Sequence, residues 1–87
     1  MLKISRIKMN DTAVTLQLEG RVSGPWVEEL RRLCVEALHD GSRLILDLTG
    51  VSFVDGEGIV FLQGLPRQRV MLTNCSPFVT ELLKGVG

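Results

Sequence analysis

Leu44-Ile45-Leu46-Asp47-Leu48-Thr49-Gly50-Val51-Ser52-Phe53-Val54-Asp55-Gly56-Glu57-Gly58 is the stretch that decides how this chain is read. Leu44 to Leu48 is a nearly continuous apolar run, which suits a strand covered on both faces inside a parallel or mixed sheet. It is expected to be the central strand. Thr49 to Val54 then reads as a loop. Asp55-Gly56-Glu57-Gly58 opens a short, mostly buried helix carrying Ile59, Val60, Phe61, Leu62 and Leu65, and Pro66 closes it. Asp55 suits the N-cap position, where a carboxylate accepts from the first unpaired N–H groups, and Glu57 adds negative charge near the positive end of the helix dipole. Each effect is worth about 0.3 to 2 kcal/mol. Capping is a sufficient reason for Asp55, and the plain reading of Glu57 is a solvated first-turn glutamate.

Upstream, Leu2 to Met9 and Ala13 to Glu19 alternate apolar and polar residues with a period of two. Asn10-Asp11 between them has turn chemistry, so the two strands are expected to form an antiparallel hairpin that ends at Gly20. Gly24-Pro25 opens a helix, because proline is tolerated where its missing N–H would be unpaired anyway. Trp26, Leu30, Leu33, Cys34, Ala37 and Leu38 form its apolar face, and Glu28 pairs with Arg32 on the other. His39 falls in the last turn, where the dipole favours it, and Gly41 supplies the stop. Downstream, Val70 to Thr73 reads as a last short strand. Ser76-Pro77 caps a final helix with Phe78, Val79, Leu82 and Leu83 inward and Gly85 at its end. The order is ββαβαβα, an α/β fold with a mixed sheet flanked by helices, and residues 1–87 read as a single domain.

Composition narrows the function. A chain of 87 residues buries roughly 60% of its unfolded surface, which leaves little room for a second site. Ten basic residues balance ten acidic ones, so no bulk field draws the protein toward nucleic acid or anionic lipid. Apolar runs such as Ile59 to Leu62 fall far short of the roughly 20 residues that cross a bilayer, and the N-terminus lacks a secretory pattern. The expectation is a cytoplasmic protein without direct membrane insertion. Cys34 and Cys75 belong to no CxxC pair or ligand cluster and read as structural thiols, although the helix start beside Cys75 would lower a thiol pKa. No metal or cofactor is expected.

Residues 44–58 closely resemble the signature of the STAS family, of the bacterial anti-sigma-factor-antagonist type: an apolar strand, Asp-Leu-Ser/Thr-Gly-Val, then Asp-Ser-Ser-Gly. Leu18-Glu19-Gly20 is similar to the Leu-x-Gly that ends the family's second strand, and Asn74-Cys75-Ser76-Pro77 to its Asn-x-Ser-Pro turn. The resemblance implies a docking protein in signal transduction and transcription regulation, with a partner surface at Ser52, Asp55, Gly56, Glu57 and Gly58. In members that regulate sigma factors, the second serine of Asp-Ser-Ser-Gly is phosphorylated by the anti-sigma kinase, which releases the partner. Here that position is Glu57, and the neighbouring serine is Gly56. A carboxylate takes no phosphoryl group, and it carries about one negative charge where phosphoserine carries about 1.5 to 2. Glu57 is therefore expected to hold the surface in a phosphorylated-like state. Thr49 and Ser52 remain as hydroxyls open to modification. The stretch from Gly64 to Arg69 is shorter than the family's second helix and turn, and Arg67 and Arg69 there read as a solvated rim or a contact for an acidic partner.

The implied partner is a protein: an anti-sigma kinase-like chain, a two-component protein, or the ATPase of a lipid-transport ABC complex that this chain would serve as accessory subunit. A homodimer is left open. An enzyme is disfavoured, since His39 is the sole imidazole and no nucleophile, base and orienting group appear together. A small-ligand or nucleotide-binding module is disfavoured too, because Asp55 and Glu57 would repel a polyphosphate and no phosphate-loop lysine is present.

Overall fold

A computed structural model describes residues 2–8, 12–39 and 41–84; the expected Asn10-Asp11 turn and Gly85 stop lie outside the described residues. The elements run β1 (Leu2–Lys8), β2 (Ala13–Val22), α1 (Pro25–His39), β3 (Arg43–Val54), α2 (Gly56–Gln63), β4 (Val70–Thr73) and α3 (Pro77–Lys84). The strands form one mixed sheet in the order β1-β2-β3-β4, with β1 antiparallel to β2 and the β2–β3 and β3–β4 pairs parallel. This is the expected α/β order and hairpin.

Alternation along the strands sends Val14, Leu16 and Leu18 of β2 and Leu44, Leu46 and Leu48 of β3 to one face, where all six are buried. The helices join the same core cluster through Val27, Leu30, Cys34 and Ala37 of α1, Ile59, Phe61 and Leu62 of α2, and Val79 of α3. Ile45, on the other face of β3, does not belong to that cluster. The central strand is thus covered by helices on one face rather than on two. Ile45 misleads the eye because it completes an apolar run while pointing away from the core.

The expected loop from Thr49 to Val54 is strand. β3 continues to Val54, and Phe53 and Val54 pair with Arg21 and Val22. Register shifts between Gln17 and Glu19, and again between Gly20 and Arg21, mean that β3 carries one extra residue at each place. Each insertion reverses which parity faces inward, so the core set passes from Leu48 to Val51 and then to Val54. Irregular apolar spacing looks like a loop when bulges are not visible.

Helix phasing differs in detail. In α1, Val27 is 1% exposed and Trp26 37%, so the apolar stripe starts one residue later than expected. Arg32 bonds Glu29 at 2.6 Å and Glu36 at 3.5 Å, while Glu28 accepts from Arg31 at 3.3 Å. In α3, Ser76 Oγ accepts from Val79 N–H at 3.1 Å as the expected cap, but Phe78 is exposed. Arg69 is exposed, as a rim residue would be, but its guanidinium also donates to Leu38 O at 2.6 Å and to Ser42 O at 3.1 Å, tying the turn before β4 to the C-terminal end of α1.

A Cβ at Gly58 would lie 2.7 Å from Val54 Cγ1 and 2.9 Å from Val22 O, so α2 can start against the ends of β2 and β3 only because this residue is glycine. A Cβ at Gly56 meets nothing within 4 Å. Gly58→Ala is therefore expected to cost about 1–3 kcal/mol in urea unfolding, as overpacking does. Gly56→Ala should be neutral or stabilising by up to about 1 kcal/mol. Equal effects at the two positions would contradict this packing.

Candidate functional site

The second helix begins where two strand ends and the start of α1 meet, and Asp55 joins them. Its N–H donates to Val22 O at 3.0 Å and its carbonyl accepts from Ile59 N–H at 2.8 Å. The carboxylate is divided between two elements: Oδ1 accepts from Gly58 N–H at 2.8 Å and Oδ2 from Gly24 N–H at 3.0 Å. Gly24 has φ +55 and immediately precedes α1, so this bond anchors a left-handed turn as well as a helix start. The Gly58 and Gly24 amides hold the Asp55 carboxyl below the usual carboxylate range.

A second acidic residue serves the outer face of the sheet. Asp47 Oδ1 accepts from the Thr49 hydroxyl at 2.6 Å, from Thr49 N–H at 3.0 Å and from Asn74 Nδ2 at 3.1 Å. The Thr49 hydroxyl, then its N–H, then Asn74 lower its pKa. Asn74 has φ 57, a conformation asparagine tolerates, and it carries the chain from β4 toward α3. Thr49 is thereby a partner of Asp47 in the molecule itself.

Of the five residues expected at the partner surface, two face inward tasks. Asp55 is the cap and cross-tie, and Gly58 is buried under steric constraint. Gly56 and Glu57 are exposed in the first turn of α2, and among the described residues the Glu57 carboxylate has no hydrogen-bond or ion-pair partner. Ser52 is exposed at the second bulge, where its hydroxyl donates to Gly20 O at 3.2 Å.

Neighbouring groups escape a sequence reading. Val60, one turn after Glu57, is a large exposed apolar side chain, and with Arg31, Val35 and Phe61 it lines a groove between α1 and α2. The Arg31 guanidinium lies 5.1 Å from the Phe61 ring centroid, and that of Arg21 lies 5.2 Å from Phe53. The Phe53 ring also sits 6.4 Å from that of Phe78. All three contacts join residues distant in the chain, and Val60, expected within the mostly buried helix, is exposed instead.

The thiols are structural in character: burial pushes Cys34 up to about 12 and raises Cys75 as well, against the effect expected from the adjacent helix end. Among the described residues no three His, Cys, Asp or Glu side chains group to hold a metal ion, and no helix is long and apolar enough to cross a membrane.

Comparison with known proteins gives matches of two kinds. A family model described as "Mlab, STAS domain" matches residues 5–87. Among solved structures, the anti-sigma factor antagonist SpoIIAA in its unphosphorylated form is similar with a TM-score of 0.74, at 22% sequence identity, over 94% of this chain and 82% of that one. A comparison with curated proteins returns no match.

Because the folded pKa of Asp55 is depressed, its contribution to stability is complete above the unfolded carboxylate value of about 3.9 and is lost as pH falls through the folded value. Asp55→Ala is expected to cost about 1–3 kcal/mol at neutral pH, removing a cap and a cross-tie together. In urea unfolding, its deficit relative to the parent should narrow below about pH 4. A deficit independent of pH would show that the carboxylate charge is not what holds this junction.

Proposed function

The chain belongs to the STAS family, and from that membership we propose that it is a non-catalytic docking module whose recognition surface is the outer side of the Asp55–Gly58 turn together with the exposed flank of α2. One observation carries this reading. Asp55 already supplies the side-chain cap of the helix, so capping does not require the exposed carboxylate of Glu57 beside it. A charge of that kind contributes at most a few tenths to about 1 kcal/mol through the dipole. In a desolvated contact it discriminates between partners far more strongly.

The family's phosphorylated serine corresponds to Glu57, so the surface carries a permanent negative charge and is not switched by a kinase at that residue. An ordinary anti-sigma kinase would bind poorly, and the partner is one that presents a cation to Glu57 and an apolar side chain to Val60. Gly56 and Ser52 complete the rim, while Asp55 and Gly58 act by holding the turn in place. The similarity of fold to an anti-sigma factor antagonist supports a role in signalling through protein partners.

A second reading rests on the same fixed charge. A site that is not switched suits a partner that stays bound, such as the cytosolic ATPase of a lipid-transport ABC complex, with this chain as its accessory subunit. Recovery of an ATPase with permease subunits supports that reading, and recovery of a kinase-like or two-component protein supports signalling.

Glu57→Ser is expected to weaken the native partner by about tenfold or more, the loss of roughly 1.4 kcal/mol that a close charge pair readily supplies. Affinity capture from the native lysate, followed by titration of the captured protein with both variants, measures this. Unchanged partners with unchanged affinities would remove Glu57 from the recognition surface.

A further inference from the structure

The face of the sheet away from the helices carries a row of residues that neither the core nor the docking surface uses. Ile7 pairs with Thr15, Thr15 with Ile45, and Ile45 with Met71, so one residue from each strand stands in line across the sheet. Ile7 is 44% exposed and Met71 61%, while Thr15 between its neighbours is 8% exposed. None of the four belongs to the core cluster. Charge is split across the row. Arg43 precedes Ile45 by two positions on β3, and Arg67 lines the same shallow depression as Ile45 and Met71. Asp47 follows Ile45 by two positions, with Thr49 and Asn74 both bonded to Oδ1, so Oδ2 remains open.

We propose that this face docks on the same face of a second copy of the chain, about a two-fold axis that runs along the Ile7–Thr15–Ile45–Met71 row. Such an axis lays each row residue over its own counterpart and reverses the strand direction between copies. Residues two positions before the row then face residues two positions after it. Arg43 of each copy meets Asp47 of the other, and the apolar row is closed off from water. A two-fold axis parallel to the strands would instead leave Arg43 level with Arg43 and Asp47 level with Asp47 and form no Arg43–Asp47 pair, so the charge layout favours the first arrangement. Face-packed sheets lie about 10 Å apart, a gap that an extended arginine and an aspartate span together.

The size of the face sets the strength of the contact. Four strands about 4.8 Å apart and about six residues long cover roughly 20 by 20 Å. Two copies therefore bury on the order of 1,000 Å², at the low end of specific interfaces, which calls for a reversible dimer with a micromolar or weaker Kd. The helix layer that displays Glu57 is on the opposite side of the sheet, so the dimer exposes two docking turns. The two proposals stand or fall separately.

Sedimentation of the full chain between about 0.5 μM and 1 mM tests the dimer, since a micromolar to submillimolar Kd lies within that range. The mass is expected to rise from monomer to dimer with concentration and to fall again at high salt. Ile45→Glu sets like charges face to face at the axis and should raise the Kd at least tenfold, by about 1.4 kcal/mol. Met71→Glu changes an exposed side chain with no part in the core and should act in the same direction, so the test survives if Ile45→Glu folds poorly by circular dichroism. A monomeric mass across the whole range, or a dimer indifferent to both substitutions, would overturn the proposal.

Discussion

The Asp55 carboxylate is the point on which the candidate site depends. Its two oxygens serve backbone amides 34 positions apart, Gly24 and Gly58, and its own amide is bonded to the end of β2. One side chain thus fixes where α1 begins, where α2 begins, and how both stand against the strand ends. Hydrogen bonds to a charged acceptor are stronger than neutral ones, which suits a junction that must be held without a large local core. With the junction fixed, the first turn of α2 displays Glu57 in a defined direction at no further cost to folding.

Most of the segment that identifies the family has a structural reason of its own. A Cβ at Gly50 would approach Glu19 Cγ to 2.7 Å and Leu18 O to 3.1 Å, so the first bulge of β3 needs glycine there. Gly58 is required by the approach of α2 to Val22 and Val54. Asp47 and Thr49 close on each other and on Asn74. When these demands are subtracted, Gly56 and Glu57 are left exposed, with no side-chain task inside the described part of the molecule. In this turn the two residues with structural tasks, Asp55 and Gly58, flank the two that folding leaves exposed.

The order of elements and the hairpin were legible because periods of two and 3.6 are local properties of the chain. So were the caps at Asp55 and Ser76, where the residue type and the following proline or glycine suffice. The continuation of β3 through Val54 was not legible, because two bulges break the alternation that reveals a strand. Coverage of the sheet on one face was hidden by Ile45, which is apolar although it points away from the helices. Arg69 and Asp55 owe their roles to carbonyls and amides more than 25 positions away, and such partners leave no mark on the neighbouring sequence. At the candidate site, residue type revealed the charge of Glu57 but not its lack of an internal partner.

Hydrogen exchange on the chain with and without its captured partner tests most directly whether this turn is the recognition surface. Slowed exchange is predicted at the amides of Gly56, Glu57 and the exposed flank of α2 around Val60, with β1 and the outer face of the sheet unchanged by that partner. Protection confined to the sheet face or to α3, with residues 56–60 exchanging as in the free protein, would contradict the account.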